Sequence, residues 1–384
     1  MAKGPPLRVA VLGAGPVGLE SALLAHAAGC AVTVYEAGQV AEQVNRWGHA
    51  RMFTPFGWNV TPLGRQTLLR EQPARDFPAD TDLLTGREYR SAYLVPLAES
   101  GPLKPCVQPQ TAVLTVGRTG WRKTDPADPR RPLPPFRLLV RGQGGQERID
   151  PADVVLDCTG TYTKPNWAGD GGIPALGELA ARPHVPYWLD DVAGARRQHY
   201  EGRSVLVIGG GYSAATTVCE LASLAENHPA TWVIWLTHGP RTQPLPRVPN
   251  DPLKERDRLA ARANSLACRC DGNLEYHPQA RLDELVCHGP DQGFRVTARV
   301  NGVPKTWDVE RVIANVGYRP DATLWQELRV TEPAGGPATG EPGYYVLGAK
   351  SRGRDSDFLL RDGFEEARRV VAGVAAAAAG RKAS

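Results

Sequence analysis

Apolar positions along the chain gather in short runs that end on glycine, and two stretches repeat one order of events. Residues 7–12 form an apolar run that reads as a strand; a glycine-rich turn, a helical segment and a second apolar run at Ala31–Tyr35 follow. Residues 204–236 do the same, with a strand ending at Ile208, glycines, a helix over about 213–226 and a strand ending Trp235-Leu236-Thr237. Each stretch predicts a nucleotide-binding strand–turn–helix–strand unit.

The remaining pattern predicts how these units are joined. Residues 40–105 read as helices and loops, about 110–150 as a β-meander, and 154–157 as a strand running into Cys158-Thr159-Gly160. Short alternating strands come later, at 294–300, 311–316 and 344–347, before a final helix from about Asp357. Residues 118–135 hold five prolines and read as an exposed loop. The fold class expected is α/β: two Rossmann-like three-layer dinucleotide-binding domains, one inserted into the other. Residues 1–165 and 305–384 would form the first domain, and 166–304 the insert.

Chemistry attaches to the glycines. Gly13, Gly15 and Gly18 match G-x-G-x-x-G: the first permits a tight turn, the second lets backbone approach a pyrophosphate, and the third lets helix and strand pack closely. The helix N-terminus then offers unpaired N–H groups to that anion. Glu36 closes the following strand, where a carboxylate can accept hydrogen bonds from adenosine ribose hydroxyls. In the second unit Gly209, Gly211 and Ala214 give G-x-G-x-x-A, with Ser213 opening the helix, and no acid ends the second strand. A 2′-phosphate is therefore not repelled, and Arg241 is placed to pair with it, which favours NADPH over NADH while leaving NADH open.

Bulk properties remove other classes. A net charge of +4 with dispersed Arg and Lys argues against a nucleic-acid partner. Seven cysteines at irregular spacing argue against a secreted disulfide framework. Residues 370–380 are mostly alanine and too short to span a bilayer, and no signal peptide fits before Leu7, so a cytoplasmic protein is expected. Cys268, Cys270, His277 and Cys287 lack convincing ligand spacing, and no metal is expected. Oligomeric state is not legible.

The two units, one inserted in the other, resemble the two-dinucleotide-binding-domain flavoproteins. Cys158-Thr159-Gly160 with Tyr162 and Pro165 is similar to their A/C-T-G-x-x-x-x-P crossover, and Asn315-Val316-Gly317-Tyr318-Arg319-Pro320-Asp321 to its second copy, A-T-G-Y-R-P-D. Within that superfamily, Trp47-Gly48-His49-Ala50-Arg51-Met52-Phe53-Thr54-Pro55-Phe56 resembles the W-G-H-V-R-L-F-S-P-W pattern of bacterial flavin monooxygenase-like proteins associated with metal or arsenic resistance. Residues 344–354 resemble their F-Y-V-V-G-M-K-S-Y-G-R ending. The resemblance implies FAD on the first unit, held by Gly13, Gly15, Gly18, Glu36, Thr159, Gly160 and Phe358, and NADP on the second. It implies that Trp47, His49, Arg51 and Phe53 line one side of the flavin cleft and Lys350 and Ser351 the other, with the final helix directed at the ring.

Three departures shape the expected activity. Ala349 stands where many relatives carry a ribityl-binding acid, so backbone, Lys350 or Ser351 would serve. No C-x-x-C or C-x-x-x-x-C pair exists for a dithiol reductase. Near His184 and Tyr187 the aromatic-glycine start of the heteroatom-oxygenating motif F-x-G-x-x-x-H is missing. The leading expectation is an FAD-dependent, NADPH-using monooxygenase acting with O2, through a C4a-hydroperoxyflavin, on a small soft nucleophile such as a trivalent arsenical. Two alternatives stand beside it: an NAD(P)H-dependent flavin reductase passing electrons to a quinone, metal or protein, and a non-catalytic flavin-binding sensor.

Overall fold

A computed structural model describes residues 5–126, 133–269, 272–289, 291–331, 335–355 and 357–380. Part of the proline-rich stretch 118–135, and Cys270, lie outside the described residues. The chain divides into two compact units, Met1–Lys164 with Arg319–Ser384, and Pro165–Tyr318. The sequence placed the second junction at 305.

The first unit begins with β1 (Arg8–Leu12), α1 (Pro16–Ala27) and β2 (Ala31–Tyr35). Short helices follow, α2 (Glu42–Arg46), α3 (Pro62–Glu71), α4 (Gly86–Tyr89) running into a π turn at Arg90–Leu94, and α5 (Val95–Glu99). The strands β3 (Val107–Gln108), β4 (Ala112–Arg118), β5 (Phe136–Arg141), β6 (Glu147–Ala152) and β7 (Val154–Asp157) complete its first segment. The second unit holds α6 (Glu178–Ala181), α7 (Arg197–Tyr200), β8 (Ser204–Ile208), α8 (Tyr212–Asn227), β9 (Trp232–Leu236), α9 (Lys254–Cys268), β10 (Leu274–His277), β11 (Ala280–Gly289), β12 (Gly293–Val300), β13 (Val303–Val309) and β14 (Arg311–Ala314). The chain then returns to the first unit with β15 (Tyr344–Val346) and α10 (Leu360–Gly380).

Each unit stacks helices, a parallel sheet and an antiparallel meander in three layers. In the first, the parallel order is β15-β7-β1-β2-β3 and the meander is β4-β5-β6. Alternation along β1 explains why both faces are covered: Val9 and Val11 join the core formed with α1 and α10, whereas Ala10 and Leu12 join Phe136, Leu138 and Val140 of β5. The second unit repeats the design with β10-β9-β8-β14 and β11-β12-β13. Val205 and Val207 face α8 and α9, while Leu206 and Ile208 face Val296 and Ala298 of β12. Each such fully buried branched side chain contributes about 1.5–3 kcal/mol.

The final helix starts at Leu360 rather than near Asp357. The Leu359 N–H donates to the Asp362 carboxylate at 3.2 Å, the backward half of a capping box, and this contact sets the helix start. Both β13 and β14 belong to the second unit, because β14 pairs with β8 from Arg311↔Val205 onward.

Candidate functional site

In the first unit the carboxyl ends of β1, β7 and β15 converge on the Gly13–Gly18 turn. Gly13 has φ +96°, and a Cβ there would lie 2.9 Å from the Cys158 carbonyl oxygen. A Cβ on Gly18 would sit 1.9 Å from the Gly13 carbonyl oxygen, so both glycines are required by close backbone approach. Gly15 and Gly160 differ: nothing lies within 4 Å of a Cβ at either position. Gly15 is also the N-cap of α1 and offers no side-chain cap, leaving first-turn N–H groups available in an open cradle of the kind a pyrophosphate fills.

The Glu36 carboxylate accepts N–H bonds from Ala14 at 2.8 Å and Gly38 at 2.9 Å. Burial pushes its pKa up, while the two amides hold it down. The acid expected at the ribose position is thereby fixed against the glycine turn itself.

Under the Cys158-Thr159-Gly160 turn lies a closed polar cluster. Lys350 Nζ is 2.7 Å from Asp157 Oδ2, and both side chains are 0% exposed. Lys350 also donates to Thr159 Oγ1 at 2.9 Å, Thr159 donates to Asp157 Oδ1 at 2.6 Å, and the Tyr344 hydroxyl donates to Asp157 Oδ2 at 2.9 Å. The Trp325 ring centre lies 4.4 Å from the ammonium. Ser351 Oγ is 2.9 Å from both carboxylate oxygens of Glu366 on α10, and the Gly348 N–H donates to that carboxylate at 3.0 Å. These contacts correct one expectation: the Lys350 and Ser351 side chains are enclosed by protein partners and do not line a cleft. Their role is to hold the Gly348–Arg352 turn.

Residues of the 47–56 motif separate in the same way. The Trp47 ring packs on Gly86, where a Cβ would lie 2.6 Å from a ring carbon. Arg51 is exposed and donates to the Leu83 carbonyl. Phe53 is half-buried, and so is Phe358, whose ring edge would lie 2.9 Å from a Cβ on Gly363 in α10. His49 keeps a buried Nε2 with no hydrogen-bond partner, an orphaned polar atom of the kind a bound group satisfies. Sequence reading missed Arg361, whose guanidinium stands 4.2 Å from the Trp58 ring centre and ties this segment to α10. The Cys158 thiol is pushed up to about 12 by burial, so it is not a nucleophile.

The second unit repeats the glycine logic. Gly209 has φ +139°, and its Cβ would lie 2.1 Å from the Asn315 carbonyl oxygen. Trp235 Nε1 donates to the Gly209 carbonyl at 2.8 Å, fixing the turn against β9. Gly211 caps α8 above open space, Ser213 is exposed in the first turn, and Ala214 is buried. Asn315 accepts the Thr217 hydroxyl at 2.8 Å and donates to the Trp188 carbonyl at 3.1 Å, locking the crossover segment onto α8. Beyond β9, Thr237 is 2.8 Å from the Tyr276 hydroxyl, which donates to the Arg241 carbonyl at 2.7 Å. The Arg241 guanidinium is exposed and has no partner among the described residues. Arg281 and His238 escaped sequence reading because β11 delivers the arginine from far along the chain: Arg281 Nη1 lies 3.1 Å from His238 Nε2 and 3.0 Å from Asp170 Oδ1. Tyr187 is spent elsewhere, donating to the buried Glu178 at 2.6 Å. Among the described residues there is no metal-binding cluster, no disulfide and no helix long and apolar enough to cross a membrane.

Comparison with family models and with curated proteins finds no match. Solved structures do match along the whole chain. Bacillithiol disulfide reductase from Bacillus cereus shares 18% identity at a TM-score of 0.70, covering 97% of this chain and 99% of that one. A flavin-containing monooxygenase from Stenotrophomonas maltophilia shares 19% at 0.63, again over 97% and 99%. An ornithine N-hydroxylase from Kutzneria sp. 744, solved with reduced FAD, NADP+ and L-ornithine, shares 18% at 0.62 over 99% and 100%. With two Rossmann-like units of this construction, the chain has the fold of the two-domain flavoproteins.

Proposed function

We propose that the chain is an FAD-dependent, NADPH-using oxidoreductase, and that its reaction is oxygenation of a small soft nucleophile. The observation that carries the cofactor reading is the pair of glycine turns, each with a helix N-terminus over open space and each backed by a carbonyl that forbids a side chain. The first unit would hold FAD through the amides of α1, Glu36, Gly160 and the Gly348–Arg352 backbone. The second would hold NADPH through the amides of α8, with Arg241 at the 2′-phosphate. Bound FAD supplies hydride acceptance from NADPH and activation of O2; the chain supplies binding, orientation and exclusion of water. The test is NADPH oxidation coupled to oxygen uptake and to an oxygenated product in a screen of soft nucleophiles that includes trivalent arsenicals.

A second reading, transfer of electrons to a separate acceptor, is favoured by the likeness to a disulfide reductase. Anaerobic turnover with an added quinone, without product oxygenation in air, would establish it. A thiol route would have to use cysteines other than buried Cys158 and Cys219.

Arg241→Ala probes nucleotide choice. Loss of one charge-assisted contact costs about 1.5–3 kcal/mol, so KM for NADPH is expected to rise roughly ten- to a hundredfold while that for NADH stays the same. Equal changes for the two nucleotides would remove Arg241 from the 2′-phosphate site.

A further inference from the structure

Glu20 is an anomaly in the nucleotide-binding helix. It projects from α1 two residues after Gly18 into a nearly closed interior and is 4% exposed. Its hydrogen-bond partner is neutral: Thr61 Oγ1 stands 2.8 Å from Glu20 Oε2. Beside this pair stand Tyr89 of α4 and Tyr93 of the π turn, with Arg65 of α3 next to Tyr93. Arg65 pairs with Asp80 and lies over the Phe56 and Phe77 rings. On the other elements against α1, Glu366 of α10 serves Gly348 and Ser351, and Cys158 meets Ser21. Among the described residues no cation forms an ion pair with Glu20, and burial raises its pKa to about 7.

The contact sits at the root of a linked set of buried polar groups. Thr61 is the N-cap of α3 and accepts the Gly64 N–H at 3.0 Å, while its own N–H points to the Tyr93 hydroxyl at 3.4 Å. Tyr89 donates to the Asn59 carbonyl at 2.5 Å, and Asn59 Nδ2 donates to the carbonyls of Thr54 and Pro55, each at 3.1 Å. Ionising Glu20 sets an unpaired charge against Thr61 and Tyr93, and the need to hydrate that charge favours their lifting from α1. Lifting them disturbs the segment from Thr54 to Gly64 and the helix that begins at the Gly13–Gly18 turn.

We propose that Glu20 is a positioning residue for the FAD site: it must carry a proton for the 54–64 segment to stay docked on α1, so FAD binding is coupled to protonation of this one carboxyl. The inference rests on the FAD reading above. Folding and FAD binding both favour the protonated form, so the sign is fixed: affinity is full at low pH and declines as pH rises through the folded-state pKa.

The test is titration of the full-length apoprotein with FAD between about pH 6 and about pH 8, followed by quenching of flavin fluorescence. If only the protonated form binds, wild-type affinity falls about tenfold across that range, and Glu20→Gln, neutral and of the same shape, binds FAD equally well throughout. A wild-type affinity independent of pH, or an equal decline in Glu20→Gln, would overturn the proposal while leaving FAD binding intact. Failure of the wild type to bind FAD at any pH would instead overturn the cofactor reading on which it stands. Should Glu20→Gln not fold, proton uptake by the wild type decides: about one proton taken up per FAD bound near pH 8 and almost none near pH 6 is expected, and no uptake at either would overturn the proposal.

Discussion

Gly209→Ala is expected to yield a yellow, folded protein whose flavin NADPH no longer reduces efficiently, with KM for NADPH raised by about a hundredfold or more, since displacement of about 1 Å at a binding turn can cost that much. The added methyl would sit 2.1 Å from the Asn315 carbonyl oxygen, which is backbone locked to α8 through Thr217. At φ +139° an alanine is also strained, so the turn must open, and the N-terminus of α8 moves with it. Gly18→Ala is the mirror experiment: the carbonyl of Gly13 lies 1.9 Å from the new atom, and the protein is expected to purify colourless. Loss of the wrong nucleotide in either variant would reverse the assignment of the two units. FAD titration and NADPH steady-state kinetics measure both effects.

The second large effect belongs to Lys350. Removing one partner of a wholly buried ion pair strands the other charge, so Lys350→Met is expected to destabilise the protein by about 3–5 kcal/mol in urea unfolding and to weaken FAD retention. The cluster has more members than the pair. Adding Asp157→Leu removes the stranded charge and should recover part of the loss. Recovery remains incomplete because the Tyr344 and Thr159 hydroxyls then lack their acceptor, at about 1–3 kcal/mol for each unsatisfied group. A single Lys350→Met variant as stable as the wild type would show that the pair contributes nothing to holding β7, the crossover turn and the Gly348–Arg352 turn together.

What the sequence made legible was local. A strand, a glycine turn and a helix are contiguous, so Gly13, Gly18, Gly209 and the three-layer α/β class could be read from spacing alone. The contacts that organise the site are not contiguous. Lys350 meets Asp157 across 193 positions, and the motif likeness that placed it beside a cofactor carried no information on which way its side chain turns. Arg281 reaches His238 across 43 positions, from β11 to the turn after β9. Glu20 reads as an ordinary polar residue of a helix until α3 is packed over it. The start of α10 lies at Leu360 because Asp362, inside the helix, does the capping.

On the proposed reading, one chain binds FAD and NADPH and passes a hydride between them. Anaerobic rapid mixing of the FAD-loaded protein with NADPH, followed at the visible flavin absorption band, decides between these outcomes. Prompt bleaching, with colour returning on admission of air, is the expected result; a flavin that stays oxidised in the presence of saturating NADPH and NADH would contradict it.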